Sequence, residues 1–187
     1  MKLNLGAGEY VREGYVNVDW QAGEGVDVVH DLNSFPYPFE TGSVEEVSAY
    51  HVLEHLDRPF FVMRELHRIL RPGGVAHIKV PHFSRGFTHA EHTHGFDVTF
   101  PLYFNPRFKG SGYYGAHFTL QSMQLRWFAF PHLLREMGYG TVMVKLLLGL
   151  SRFISGLANL SPSFASRVWC FWVGGFEEIE FRFTCVK

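Results

Sequence analysis

The chain has 187 residues, of which 47% are hydrophobic and 19% charged. That is enough apolar material for one sizeable core, and it excludes a disordered segment. The formal net charge of −1 excludes a global field for polyanions, so no nucleic-acid partner is expected.

Taken in chain order, Lys2–Leu5 reads as a buried strand that runs into the turn Gly6-Ala7-Gly8. Residues 9–14 make a single turn, and 15–18 form a second strand ending on Asp19. A third strand, 26–31, ends on Asp31. Pro36, Pro38 and Gly42 mark a loop. Val44–Tyr50 is a fourth strand. Residues 56–70 have helical periodicity, with Phe60, Met63, Leu66, Ile69 and Leu70 on one face, and Arg71-Pro72-Gly73-Gly74 stops that helix. Residues 75–80 form a fifth strand, closed by Pro81. From 82 to 115 the pattern fails in a stretch rich in His, Phe, Tyr, Gly and Pro, and a loop of that length is usually functional. Residues 118–127 read as a strand, 131–137 as a short helix, 141–160 as a long apolar helix and 177–186 as a terminal strand. Strands alternating with short connections imply a parallel sheet.

Parallel sheets bind ligands beyond the carboxyl ends of their strands. The candidate groups all fall there: Gly6–Gly8, Asp19, Asp31, His51 and His82 follow strands one to five in turn. A Gly-x-Gly turn followed by a strand-end carboxylate is the pattern that binds the ribose of a nucleoside cofactor. Gly6 and Asp19 are 13 positions apart, against roughly 20 in a dinucleotide unit, so no full crossover helix fits between them. The third glycine of a dinucleotide fingerprint would fall on Val11, and no phosphate cradle with Lys is present.

With Val18-Asp19, His30-Asp31-Leu32, Val52-Leu53-Glu54-His55-Leu56 and Leu70-Arg71-Pro72-Gly73-Gly74 added, the chain resembles the class I S-adenosylmethionine-dependent methyltransferases, in particular their small domains. The likeness covers roughly residues 2–81. It implies an α/β, Rossmann-like fold with a mostly parallel seven-stranded sheet and an antiparallel C-terminal strand. Residues 1–81 would be the cofactor half and 82–187 the substrate half of a single domain. The implied cofactor is S-adenosyl-L-methionine. Gly6, Ala7 and Gly8 would admit its methionine part, Asp19 would accept its ribose hydroxyls, and Trp20 would lie on the adenine face. Asp31 and the backbone of Leu32 would read the adenine edge, the alternative for Asp31 being to cap the loop that follows, and His51 would sit near the sulfonium. Glu54 and His55 read as opening the helix after the fourth strand, where an acid suits the N-terminal dipole.

His82, His89, His92 and His94 crowd the segment after the fifth strand. One reading gives them a general base, with His82, His94 and His51 as catalytic candidates. Related small methyltransferases carry Asp-Pro-x-His here, and Glu91-His92-Thr93-His94 echoes it loosely. His89, His92 and the Tyr113-Tyr114 pair between Gly112 and Gly115 are candidates for substrate contact. The alternatives are packing on Phe83, Phe87 and Phe96, or a metal held by His89-x-x-His92-x-His94 with Glu91 or Asp97. The main expectation holds no metal.

Charge is unevenly placed, with 5 basic and 12 acidic side chains in 1–70 against 12 and 6 in 71–187. Solvated faces or an anionic substrate or membrane surface on the second half would both account for it. In 141–160, Lys145, Gly149, Arg152, Gly156 and Asn159 form a narrow polar or small stripe on an otherwise apolar helix. Burial against the core, a homodimer partner, or a membrane or lipid contact are the alternatives, and two charges with two glycines argue against a span. Cys170 and Cys185 lie among large apolar residues without a CxxC, and strand residues begin at Leu3. A reducing, cytoplasmic setting without a signal peptide is therefore expected. The sequence thus predicts methyl transfer to an O or N nucleophile of a small-molecule or glycan-type acceptor. A non-catalytic S-adenosylmethionine-binding module and a metal-dependent enzyme on the same fold are the competing readings.

Overall fold

Among the described residues seven strands form: β1 Lys2–Leu5, β2 Val16–Asp19, β3 Val28–Val29, β4 Val44–Tyr50, β5 Leu70–Pro81, β6 Phe118–Arg126 and β7 Glu178–Cys185. The computed structural model describes residues 1–86, 89–108 and 113–187, so Phe87 and Gly112 lie outside the described residues. The strands join in one sheet in the order β3-β2-β1-β4-β5-β7-β6. The first five pair parallel, and β7 runs antiparallel between β5 and β6. This is the mostly parallel seven-stranded α/β sheet with an antiparallel C-terminal strand.

Some boundaries differ from the sequence reading. The third strand shrinks to two residues, Val28 and Val29, which pair with Val18 and Asp19 of β2. The first helix, α1, spans Pro59–Ile69 and not 56–70. Pro59 sets its start, since proline suits the first helical turn, and Leu53–His55 form a separate 3₁₀ turn. Leu70 is already extended and pairs with Val44, so β5 begins where α1 ends. The 82–115 segment is not wholly irregular. It contains a short helix, α2 (Phe83–Gly86), and a 3₁₀ turn over Phe100–Phe104.

Strand alternation gives the sheet two unlike faces. Register places Leu3, Val47, Ala76 and Phe183 in one row, and Leu5, Ala49, Ile78 and Phe181 in the next. All eight are buried. Val62, Met63, Leu66 and Ile69 of α1 are buried in the same core. The Phe100–Phe104 turn joins them, with Phe100 5.7 Å from Phe181 and Phe104 5.9 Å from Phe183, ring to ring. Each such side chain contributes roughly 1.5–3 kcal/mol when fully buried. The opposite face is polar and its side chains pair with one another. Lys2 meets Glu46 at 3.3 Å, Tyr15 donates to Glu46 at 2.6 Å, and Tyr50 bonds His77 at 2.7 Å. Glu180 binds His77 at 2.6 Å and Arg126 at 2.9 Å.

Parallel neighbours normally need a crossover helix. Between β1 and β2 there is none. Side-chain hydrogen bonds hold the connection instead: Asn4 donates to the Tyr10 carbonyl and to Asn17, each at 2.9 Å, and Asn17 accepts from the Arg12 amide at 2.8 Å. Gly6 opens this connection at φ +64°, and a Cβ there would stand 2.4 Å from Val52 Cγ2. At this position glycine is needed for both conformation and space.

The second half also supplies α3 (Pro131–Glu136), α4 (Thr141–Ala158) and α5 (Pro162–Arg167). The edge strand β6 is covered by α4, which blunts an otherwise free ladder. Asn159, just past the helix, mimics a strand partner: it accepts from the Leu125 amide at 2.8 Å and donates to the Leu125 carbonyl at 2.9 Å. Ser155 and Ser151 accept from the amides of Trp127 and Phe128.

Two predictions follow from these contacts. The hydrogen bond from His77, joined by Arg126 and Lys79 and opposed by burial, holds the Glu180 carboxyl at about 2, below its ordinary 4.5. Its stabilisation is therefore complete above pH 4.5 and lost as pH falls through about 2. Glu180→Gln should lower Tm at pH 7 and flatten the acid limb of a Tm–pH series; an unchanged limb would refute the assignment. Gly6→Ala should lower the unfolding free energy by about 2 kcal/mol in a denaturant titration.

Candidate active site

Beyond the carboxyl ends of β1, β2 and β4 lies a cleft of about 490 Å³. Gly6, Asp19, Trp20, Leu32 and His51 line it, and Asn33, His55 and Glu91 join them. The short β1–β2 connection is what brings Gly6–Gly8 against the end of β2. The Ala7 amide donates to the Val18 carbonyl at 3.1 Å, and the Gly8 amide to Asp19 Oδ2 at 2.8 Å. The Gln21 amide donates to Asp19 Oδ1 at 3.1 Å. Asp19 is thus fixed by two backbone bonds, one per oxygen, and each oxygen keeps a lone pair for a ligand. Ala7 is buried, Gly8 is open, and Trp20 is 70% exposed at the cleft wall. Leu32 is buried beneath the cleft, with Tyr37 donating to its carbonyl at 3.0 Å.

Asp31 is placed differently from the sequence reading. Its carboxylate accepts from the Asn33 amide at 2.9 Å and the Ser34 hydroxyl at 3.4 Å, so it caps the loop after β3 and does not line the cleft. The adjoining position with a cleft-facing side chain is Asn33.

His51 ends β4 in a left-handed conformation, φ +54°, which is unusual for a side chain with a Cβ. Its ring lies between two carboxylates, with Nε2 2.9 Å from Glu178 and Nδ1 3.3 Å from Glu54. Burial opposes charge on the ring, but the bond to Glu178 and the nearby Glu54 carboxylate outweigh it and push the imidazole up to about 9. Glu178 in turn meets Arg126 at 3.0 Å. Neither Glu178 nor Glu54 was legible as a partner, because each lies far from its contact in sequence or on what read as a helix start. Glu54 makes no capping bond; it is wholly buried in the 3₁₀ turn ahead of α1.

The histidines of the later segment do not gather as one set. His82 is fully buried away from the cleft, with Nδ1 2.7 Å from Ser84 Oγ and Nε2 2.8 Å from Ser166 Oγ. Burial pulls it down to about 4. A ring with both nitrogens engaged and no exposure cannot reach a substrate, so the structure removes His82 from the catalytic set. His94 lines a smaller neighbouring pocket of about 190 Å³ with Phe60, Phe96 and Tyr103. Its Nδ1 is 2.8 Å from Thr93 Oγ1. His89 and His92 stack at 4.8 Å, and His92 lies 4.9 Å from His55. Tyr114 stacks on Phe60 at 4.2 Å beside the smaller pocket, whereas Tyr113 is 40% exposed.

The cleft fits the nucleoside cofactor implied by the sequence. Nothing lies within 4 Å of where a Cβ on Gly8 would stand, so a ligand can approach that backbone. Asp19 offers two acceptors side by side, Trp20 an exposed ring face and Leu32 an apolar floor.

Comparison with known proteins agrees. Residues 11–78 match the methyltransferase-domain family. No curated protein is significantly similar in sequence. Among solved structures, a SAM-dependent methyltransferase from Archaeoglobus fulgidus is 14% identical with a TM-score of 0.58, over 98% of this chain and 85% of that one. The YcgJ protein of Bacillus subtilis is 14% identical with a TM-score of 0.56, over 100% and 92%. The 4+2 cyclase SpnF is 12% identical with a TM-score of 0.53, over 99% and 74%. These likenesses show the fold, and a fold by itself does not fix a reaction. The domain match adds that residues 11–78 are similar to a methyltransferase domain, in line with the S-adenosylmethionine-dependent class that the sequence resembles.

Proposed function

We propose that the chain methylates an oxygen or nitrogen nucleophile of a small-molecule or glycan-type acceptor. The observation that carries this reading is a pair of cavities lined by successive residues of the same two segments, His55–Leu56 then Pro59–Phe60 and Glu91 then His94. The larger joins the Gly6 turn, Asp19 and Trp20 to His51, and the smaller presents His94 among aromatic walls. Residues 1–81 supply the cofactor half and 82–187 most of the acceptor half. When bound, the cofactor supplies a methyl group already activated on a sulfonium. The free lone pairs of Asp19 accept the two ribose hydroxyls, the Gly6–Gly8 backbone admits the methionine part, and the Trp20 indole covers the adenine. Asn33 takes the edge-facing place expected of Asp31. His51, with each nitrogen turned to a carboxylate, orients rather than accepts a proton. His94 keeps Nε2 for the acceptor's proton, and Phe60, Tyr103 and Tyr114 hold the acceptor in line for displacement.

The setting of the acceptor is read from α4. By length and composition this helix is apolar enough to cross a membrane, yet only 22% of it is buried. Its Ser151 and Ser155 are tied to backbone just after β6, so the helix lies along the sheet edge and does not leave it. Leu146 and Phe153 are each 63% exposed, and Leu160 and Trp172 continue the apolar surface. Lys145 and Arg152 are exposed on the same helix, and residues 137–176 contain no Asp or Glu. An apolar face with basic flanks fits an anionic lipid surface. The buried free thiols of Cys170 and Cys185 support a cytoplasmic setting.

Asp19→Ala should weaken S-adenosylhomocysteine binding at least tenfold by calorimetry, and an unchanged affinity would refute the ribose assignment. His94→Ala should keep that affinity but slow labelled-methyl transfer into a small-molecule extract by about 10²-fold or more. Full turnover would remove His94, and no transfer by the parent chain would favour a non-catalytic module. The parent chain should float with vesicles containing phosphatidylserine, and the Leu146→Asp/Phe153→Asp variant should not. A dimer that survives dilution and ignores vesicles would make α4 a subunit interface instead.

A further inference from the structure

Glu54 is the one described side chain whose buried oxygens find no hydrogen bond. Its carboxylate is 0% exposed, and neither Oε1 nor Oε2 accepts a hydrogen bond among the described residues. The nearest cation, His51, reaches only Oε1, at 3.3 Å. Burying a carboxylate with an oxygen left over is costly unless a further positive charge meets it.

Two imidazoles converge on that carboxylate. His55 is next in sequence on the same 3₁₀ turn, and His92 arrives from the 89–94 segment. Donor atoms from Glu54, His55 and His92 all lie within 4.8 Å of one another. The rings of His55 and His92 are 4.9 Å apart and inclined at 73°. The approach of His92 is built. Thr93 donates to the Glu54 carbonyl through both its amide and its hydroxyl, each at 3.0 Å. His92 Nδ1 bonds the Gly86 carbonyl, which places the proton on Nδ1 and leaves the lone pair on Nε2. A metal-ligating histidine is commonly oriented by such a bond from its other nitrogen.

We propose that Glu54, His55 and His92 form a binding site for a divalent transition-metal ion of the zinc or cobalt type. One carboxylate and two neutral imidazoles suit a borderline-soft ion and not Mg²⁺ or Ca²⁺, which prefer all-oxygen sets. Ligand bonds of about 2.0–2.2 Å require the three donors to draw together. His55 is exposed and free to turn inward. Three protein ligands leave a position for water or a substrate oxygen, the arrangement of catalytic and not structural zinc sites. His55 also lines the larger cleft, so that position opens toward the cofactor. The site is not the His89-x-x-His92-x-His94 set, because His94 faces the smaller pocket and Asp97 is engaged by Arg167 at 2.7 Å. The ion would sit beside the cofactor without depending on methyl transfer, so it can be tested separately.

The test uses the full chain without a histidine tag. After chelation and desalting, Co²⁺ is titrated while visible absorption is recorded, and Zn²⁺ is titrated by calorimetry. The expected result is one equivalent of either ion, with Co²⁺ absorption displaced by Zn²⁺. His55→Ala and His92→Ala should each weaken binding at least tenfold, and His117→Ala, remote from the cluster, should not. Glu54→Gln should do the same, but because its site is buried, the two histidine variants decide the matter if it misfolds. S-adenosylhomocysteine affinity measured on the same samples reports that the cofactor cleft is intact. No stoichiometric binding, or equal weakening by His117→Ala, would overturn the proposal.

Discussion

The structure depends on a sheet that is apolar on one face only. Rows such as Leu3-Val47-Ala76-Phe183 must be covered, and α1 with the phenylalanine-rich turn at 100–104 does so. The other face carries Lys2, Glu46, His77, Lys79 and Glu180 in mutually neutralising pairs. Such a face can tolerate water because its charges are paired across strands and not stranded in a core. The abundance of phenylalanine has the same origin. A five-residue 3₁₀ turn is too short to bury a helix-sized stripe, and large rings let it fill the space.

The same economy shapes the site. With no helix between β1 and β2, the Gly6–Gly8 turn is braced by the acid that also faces the cleft. Asp19 therefore holds the loop and offers its remaining lone pairs outward. Substituting it disturbs both, which is why ligand affinity and not activity alone is the informative readout. At the other wall, His51 is pinned between Glu178 and Glu54. That cluster ties the end of β4 to the start of β7 and couples the two halves of the sheet at the point where their contents meet.

The 89–94 segment supplies a wall residue to each cavity. Thr93 anchors it to the 3₁₀ turn after β4, Glu91 faces the larger cleft and His94 the smaller pocket. A single anchored stretch of chain thus contributes to the walls of both cavities. On the far edge, α4 spends its polar atoms on β6 and turns its apolar surface outward. Helix and sheet edge satisfy each other's hydrogen bonds, and the exposed face is left to whatever surface the protein meets.

Local pattern in the sequence determined the succession of strands in the first half, the glycine turn and the strand-end acid, because period-two alternation and positive-φ glycine are local properties. It also placed Asp19, Trp20, Leu32 and His51 at strand ends, where topology brings them to one cleft. It could not decide which histidines face that cleft. His82, His92 and His94 lie within 13 residues, yet one is buried under Ser166, one meets Glu54 and one lines another pocket. Nor could it show that Asp31 caps a loop or that Glu54 is buried without a hydrogen bond. Those outcomes rest on contacts between residues far apart in the chain, and only packing in three dimensions sets them.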